Sequence, residues 1–306
     1  MIVTVTLNAA LDVAYEAAGL AWQSTRDVSR TRFRAGGRGV AVARVLHTFG
    51  HEVVAAGLAG GATGELIRED LSRSGIPVAF TAIGRESRRV LEVTDTADGR
   101  IMRLREPGPY VTTEELGRFA GDYRRMLADA TAVVLCGTLP AGLPPEIYGS
   151  LATYAAEAGV PVILNAEGSA MRYAAARRPD LVVPDPEPAA EAGVPAAGIP
   201  ASGDELLRLG ATAVATPAGG RVRVVSKAGR WTASLTDTGP GEPAAAAPGS
   251  LGALVAGLVP GLLLGWSWPD LLRHAVAVAA AADPSAKINL TLYERLLDRV
   301  TVEAAR

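Results

Sequence analysis

Short, solidly apolar runs recur along this chain, and amphipathic stretches fill the gaps between them. IVTVTL (Ile2–Leu7), EVVAAGLAG (from Glu52), AVVLCG (from Ala132), PVILN (from Pro161) and ATAVAT (from Ala211) each read as a strand buried on both faces, with DLVVPD (from Asp180) as a further short one. Between them lie helical patterns. GVAVARVLHTFG places Val40, Ala43, Leu46 and Phe49 on roughly one face and ends at Gly50, a helix stop signal. GELIREDLSRSG, TEELGRFAGDYRRMLADA with Thr112 or Thr113 as its N-cap, PPEIYGSLATYAAEAG and SGDELLRLG follow the same logic. GRVRVVS and GRWTASL read as an antiparallel pair at the sheet edge, and from about Gly249 onward the chain is mainly helical. Strands alternating with helices predict an α/β fold: a mostly parallel sheet covered by helices on both faces.

One region breaks this pattern. In SRRVLEVTDTADGRIMRLREPGP, two runs of alternating polarity flank ADG, a hairpin signal. Alternation implies strands with one wet face, so this segment is expected to project from the main body as a small sheet. No internal repeat appears. With 306 residues and 49 % hydrophobic content, the chain is read as a single domain over 1–306.

Charge and cysteine content narrow the function. Thirty Lys+Arg against 32 Asp+Glu, a net charge of -2, argue against nucleic acid as a partner bound through bulk charge. The single cysteine, Cys136, precludes an internal disulfide framework and reads as a small buried residue. His47, His51 and His274 show no metal-ligand spacing, so no metal site is expected. The start MIVTVTLNAALD lacks the features of a signal peptide. The apolar run Leu251–Trp266 is too short and too broken by Gly and Pro260 to span a membrane. A cytoplasmic protein with no membrane partner is the expectation.

Four places carry candidate chemistry. Asp12 lies just past a strand's C-terminal end, where open α/β sheets bind ligands; it is either a turn carboxylate or an acceptor for two sugar hydroxyls. Gly36, Gly37 and Gly39 surround Arg38 at a helix start, as a plain tight turn or as a loop letting backbone approach a ligand. Arg88, Arg89, Arg103 and Arg105 on the projecting hairpin form a solvated face, or send Arg88 and Arg105 toward Arg38 to grip a phosphate. PGSLGALVAGL begins a helix at which Gly249, Ser250, Leu251 and Gly252 offer amides for an anion, or simply cap it through Ser250.

Taken in order, these segments resemble the ribokinase-like PfkB carbohydrate kinases, most closely the 1-phosphofructokinase and tagatose-6-phosphate kinase branch. VTLNAALD (Val5–Asp12) looks like that branch's VTLNPAID, AGGRGVAVAR (Ala35–Arg44) like AGGKGINVAR, REPGP (Arg105–Pro109) like NEPGP, and CGTLPAGLP (Cys136–Pro144) like SGSLPPGVP. The resemblance runs from Met1 to about Val302. It implies a ribokinase-like fold with a small β lid, here contributed by about residues 10–35 and 86–108. It also implies phosphoryl transfer from Mg-ATP to a sugar hydroxyl, with a sugar or sugar phosphate as small-molecule partner. Lid-mediated dimers in the family leave room for a homodimer.

The resemblance divides the chain. On the sugar side Asp12, Gly36, Gly37 and Arg88 keep the family residues, Arg38 replaces a lysine, and Arg105 stands for an asparagine. Ala41 and Val90 replace asparagines, and Glu92 replaces a lysine and would repel a nearby phosphate. On the nucleotide side Gly252 stands where the resemblance implies the catalytic aspartate, so no catalytic residue is assigned. PGSL replaces VGAG, the Asn-x-x-Glu motif becomes DPEP (Asp185–Pro188), and SLGADGA becomes TPAGGRV, leaving Thr216 and Gly219 as nucleotide-side candidates. Asp237 or Glu242 would have to supply a replacement base. The expected function is a PfkB-type sugar or phosphosugar kinase of weak or no turnover, using Mg-ATP if active and otherwise no cofactor. The alternative is a non-catalytic sugar or sugar-phosphate binder or an interaction protein.

Overall fold

A computed structural model describes residues 1–185, 202–235 and 250–305. The chain opens with strands Ile2–Thr6 (β1), Ala10–Ala17 (β2) and Arg30–Gly36 (β3), then helix Arg38–Thr48 (α1). Val53–Gly60 (β4), Gly61–Arg73 (α2) and Val78–Ile83 (β5) follow, then the hairpin Arg88–Asp95 (β6) and Ile101–Arg105 (β7). The α/β alternation resumes with Thr113–Leu127 (α3), Ala132–Cys136 (β8), Ile147–Glu157 (α4), Val162–Asn165 (β9), Gly168–Ala175 (α5), Leu181–Val182 (β10) and Gly203–Leu209 (α6). It closes with Ala213–Ala218 (β11), Arg221–Ser226 (β12), Gly229–Leu235 (β13), Ser250–Leu263 (α7), Trp268–Ala280 (α8), Leu290–Leu297 (α9) and Val300–Ala305 (β14).

The strands form a ten-stranded sheet, ordered β14-β13-β12-β11-β10-β9-β8-β1-β4-β5, and a four-stranded sheet, ordered β3-β2-β6-β7. From β5 to β11 every neighbouring pair is parallel, and β12 to β14 continue antiparallel. Strand alternation divides the core in two. Ala132, Val134 and Cys136 of β8 join α1, α7 and α8 on one face, while Val133 and Leu135 join α3 and α4 on the other. All five are fully buried, and each Val or Leu so buried contributes about 1.5–3 kcal/mol. The apolar runs of the sequence are thus strands with two dry faces.

Local signals set the helix ends. Thr112 caps α3: its hydroxyl accepts from the Glu115 amide, while the Glu115 carboxylate accepts from the Thr112 amide at 2.8 Å, a capping box. Three elements carry no clear signal in the sequence. β5 (VAFTAI) is apolar but only partly buried, and α5 starts at Gly168 with φ +57°. β14 (VTVEAA) is exposed at Thr301 and from Glu303 onward, and it, rather than the β12–β13 pair, forms the sheet edge. No helix among the described residues is long and apolar enough to cross a membrane.

Candidate active site

Parallel strands deliver their C-terminal ends to one edge of the large sheet: Thr6, Gly60, Cys136, Asn165 and Val182 lie there with Ala218. Loops leaving that edge are where open α/β sheets place ligands. A cleft of about 780 Å³ opens at this edge beneath the four-stranded sheet.

Register decides which side chains reach it. Asp12 of β2 lies opposite Arg34 of β3 and Val90 of β6, and Val90 lies opposite Arg105 of β7. With the two-residue period of a strand, Ala10, Asp12, Arg88, Val90 and Arg105 share one face, and all five line the cleft. Gly37 and Arg38 close it from the start of α1, and Cys136–Ala141 form its floor. The structure therefore brings Asp12, Gly37, Arg38, Arg88 and Arg105 together. Gly36 lies directly beneath Asp12: a Cβ there would sit 2.2 Å from one carboxylate oxygen and 2.3 Å from the other, so only glycine leaves room for that carboxylate.

Asp12 remains accessible from the cleft. Desolvation by the surrounding protein raises its pKa to about 6, against the opposing pull of Arg88, Arg34 and Arg44 and with support from Glu92. Arg88 donates from Nε to the Asn8 carbonyl at 3.3 Å, and Arg105 makes no ion pair with any described residue. Glu92 shares the face with Asp12 but pairs with Arg103 at 2.8 Å and does not line the cleft. Its charge is shared with Arg103 but still reaches Asp12. Arg89 is held by Glu106 through contacts of 2.7–3.2 Å, which fastens β6 to the end of β7.

Residues that residue type and motif did not single out support this geometry. Asn8 donates to Thr138 Oγ1 at 3.0 Å, and its buried Oδ1 faces Gly108, where a Cβ would lie 2.6 Å away. The segments NAALD, REPGP and CGTLP thus converge on one asparagine. Tyr148 donates to the Cys136 and Gly137 carbonyls at 2.7 and 3.1 Å, steadying the floor. Asp70 of α2 accepts from the Ala35 amide at 2.7 Å and from the guanidinium of buried Arg44, locking the Gly-rich loop against α1 and α2. Asp70 looks like any helix-surface acid in the sequence; only the pairing of α2 with β3 reveals it. Burial pushes the Cys136 thiol up to about 12, which makes it a packing residue rather than a nucleophile. His274 lies among Phe49, Trp266 and Tyr293, away from the cleft.

The remaining candidates sit elsewhere on the same edge. α7 begins at Ser250, so Ser250, Leu251 and Gly252 form its first turn. A Cβ on Gly252 would lie 2.8 Å from the Ala41 Cβ and 3.7 Å from the Arg38 carbonyl oxygen, so α7 starts hard against the start of α1. Thr216 lies in β11, and Gly219 and Gly220, at φ +56° and +75°, make the turn into β12. Asp185, just past β10, pairs with Arg38. Glu187, Pro188, Asp237, Glu242 and Gly249 lie outside the described residues. The α7 amides and the Gly219–Gly220 turn suit the phosphates of a nucleotide. No trio of metal-ligating side chains occurs among the described residues.

A parallel sheet with a small sheet over its C-terminal edge, enclosing a carboxylate, a glycine-rich helix start and several arginines, defines a ribokinase-like small-molecule site. The chain belongs to the pfkB family of carbohydrate kinases, whose profile matches residues 5–229. It is 32 % identical over 287 residues to a 1-phosphofructokinase of Rhodobacter capsulatus, covering 92 % of this chain and 90 % of that protein. Its fold superposes on a possible 1-phosphofructokinase from Thermotoga maritima with TM-score 0.84 and 25 % identity, each chain covered in full. It also superposes on phosphofructokinase-2 from Escherichia coli in complex with fructose-6-phosphate, with TM-score 0.79, 22 % identity and 97 % and 98 % of the two chains covered; that likeness concerns the fold.

Proposed function

We propose that this protein is a kinase of a phosphorylated ketose, a fructose monophosphate above all, using Mg-ATP. The observation that carries the reading is the grouping of Asp12 with Arg38, Arg88 and Arg105 in one cleft. Asp12 accepts from two sugar hydroxyls, while the arginines and Thr138 hold the phosphate already on the sugar. The amide end of α1 beside Arg38 adds to that positive field. The first turn of α7 and the Gly219–Gly220 turn would hold the nucleotide phosphates, and bound Mg-ATP supplies the phosphoryl group and its charge neutralisation. With Gly252 at the start of α7, no carboxylate among the described residues of that turn takes the hydroxyl proton. General-base catalysis is worth about 10²–10⁴-fold, so turnover is expected to be slow. The test is ADP release from ATP with fructose 1-phosphate, with fructose and no sugar as controls. ADP release that no phosphorylated sugar stimulates would end this reading.

The contact of Gly252 with Ala41 favours a second reading: a sugar-phosphate binder without turnover. In that case calorimetry detects fructose 1-phosphate binding while ADP release stays at background. The four-stranded sheet is proposed to act as a lid over the cleft. Its outer face exposes Phe33, Met102 and Leu104 at 57 %, 48 % and 53 %, a surface suited to a homodimer. Light scattering checks this, with Leu104→Asp expected to give monomers.

A further inference from the structure

We propose that Asp185 sets how tightly the cleft holds a phosphoryl group, by competing with that group for the guanidinium of Arg38. Only the source of the phosphoryl group, sugar phosphate or nucleotide, rests on the kinase reading.

Arg38 is the first residue of α1 and lines the cleft. Its side chain also pairs with Asp185 beyond the end of β10. In the sheet order, β8 and β9 separate β1 from β10, so the arginine crosses the C-terminal edge above two strands. Its stem passes next to Gly137, just after β8, where a Cβ would lie in ordinary contact, 3.9 Å from the Arg38 Cβ. The two partners differ sharply in exposure. The Asp185 side chain is 3 % exposed, while that of Arg38 is 31 % exposed. A carboxylate so poorly solvated is stabilised by a nearby cation. The cation carries five donors in a planar fork and is the more exposed partner, so a ligand in the cleft can approach it while Asp185 is paired.

The other two arginines of the cleft have different surroundings. Arg88 donates to the Asn8 carbonyl and lies in the field of Asp12, and Arg105 has no ion-pair partner among the described residues. Arg38 is engaged by a buried acid from beyond the cleft floor. A phosphoryl group entering the cleft must draw on a guanidinium already half neutralised. A small free anion then gains little from Arg38. A ligand that also offers hydroxyls to Asp12 gains enough elsewhere to take it over. The pair would therefore discriminate against stray phosphate, at a cost in affinity for every phosphorylated ligand.

The test titrates the full-length protein with inorganic phosphate, fructose 1-phosphate, ATP and fructose, comparing wild type with Asp185→Asn, Arg38→Ala and the double variant. Asp185→Asn is expected to tighten inorganic phosphate roughly fivefold, the loss of one competing partly exposed ion pair, and to leave fructose unchanged. Arg38→Ala should weaken phosphate, and adding Asp185→Asn to it should change nothing further. A merely structural Asp185 would not produce a gain in affinity that vanishes without Arg38. If Asp185→Asn fails to fold, Asp185→Ser is measured the same way. Phosphate binding to either variant that is no tighter than to wild type overturns the proposal. A gain in phosphate binding accompanied by a gain for fructose 1-phosphate, or by one for ATP, identifies whose phosphoryl group Arg38 meets. If fructose 1-phosphate does not bind the wild type while inorganic phosphate still tightens, the kinase reading falls and this one stands.

Discussion

The two sides of the C-terminal edge are built from different materials. Beneath the small sheet the cleft is made of side chains under tight geometric demand: Asp12 over Gly36, Arg88 on the Asn8 carbonyl, Asn8 on Thr138. Around the start of α7 the described features are backbone and small residues: Gly252 against Ala41, and the Gly219–Gly220 turn. Side chains at fixed distances can select a ligand by its hydroxyls and charge. Amides and glycines accept any phosphate of the right shape. On the proposed function, the contrast puts the tightest geometric demand on recognising the sugar and the loosest on removing its proton.

Removing the selective element should have the largest effect. Asp12→Ala deletes two charge-assisted hydrogen bonds to sugar hydroxyls, each worth about 1.5–3 kcal/mol. Sugar-phosphate affinity should fall by about 10²–10⁴-fold, as measured by calorimetry, and a loss under fivefold would place the sugar elsewhere. The pH dependence sharpens the same point. With its pKa raised to about 6, Asp12 is ionised above that value and neutral below it. Affinity should hold from pH 8 to 7 and fall through pH 6. Arg88→Ala should move the midpoint upward, because Arg88 opposes the rise. The linkage has the opposite sign for folding. A raised carboxylate pKa means the folded state favours the proton, so stability falls as pH rises from 3.8 through about 6. Asp12→Asn should therefore melt higher than wild type at pH 7, and that gain should vanish near pH 3.5.

The second prediction concerns what holds the selective side in place. Asp70→Ala strips buried Arg44, 9 % exposed, of its carboxylate and frees the Ala35 amide beside the Gly-rich loop. Leaving a buried charge unpaired costs about 3–5 kcal/mol, lowered here because Asp70 is 24 % exposed. A loss of about 3 kcal/mol in denaturant unfolding is expected, with weaker sugar binding. Unchanged stability would mean that the loop is held by α1 alone.

The same contrast governs how much the sequence disclosed. Strands with two dry faces appear as unbroken apolar runs, so β1, β4, β8, β9 and β11 were legible, as was the β6–β7 hairpin from its alternation. β5 and β14 were not, because edge positions relax the apolar rule. In the cleft, Asp12 and the glycines announced themselves by residue type beside a strand end. Asn8, Asp70 and Asp185 did not, since each works through a partner at least 26 positions away: Thr138, Arg44 and Arg38. Glu92 is a mixed case, since its charge is still felt at Asp12. Its charge suggested repulsion of a phosphate, and only cross-strand register reveals Arg103 sharing it.

A third prediction acts on the other side of the comparison. Gly252→Asp restores a carboxylate at the start of α7, but its Cβ enters at 2.8 Å from Ala41. Overpacking of this kind costs about 1–3 kcal/mol. Ala41→Gly removes the obstructing methyl at a helix-propensity cost of about 1 kcal/mol. The single variant should melt lower than wild type, and the double variant should recover turnover if proton removal is what the wild type lacks. A double variant that folds, binds both ligands and releases no more ADP than wild type would shift the balance to the non-catalytic reading.

The smallest effect tests whether the arginines recognise charge rather than merely line the cleft. Arg105 is exposed, opposite Val90, and without an ion-pair partner among the described residues. Its removal should leave the fold undisturbed and cost only its own contact with a phosphate. One solvent-exposed charge-assisted contact is worth about 1 kcal/mol, so Arg105→Ala should weaken fructose 1-phosphate by roughly fivefold and leave fructose unaffected. Equal weakening of both sugars would mean that Arg105 shapes the cleft for hydroxyls. No weakening of either would leave the phosphate to Arg38 and Arg88. Because Arg38 is shared with Asp185 and Arg88 with Asn8, Arg105 is the arginine whose contribution to phosphate recognition can be measured without disturbing another contact.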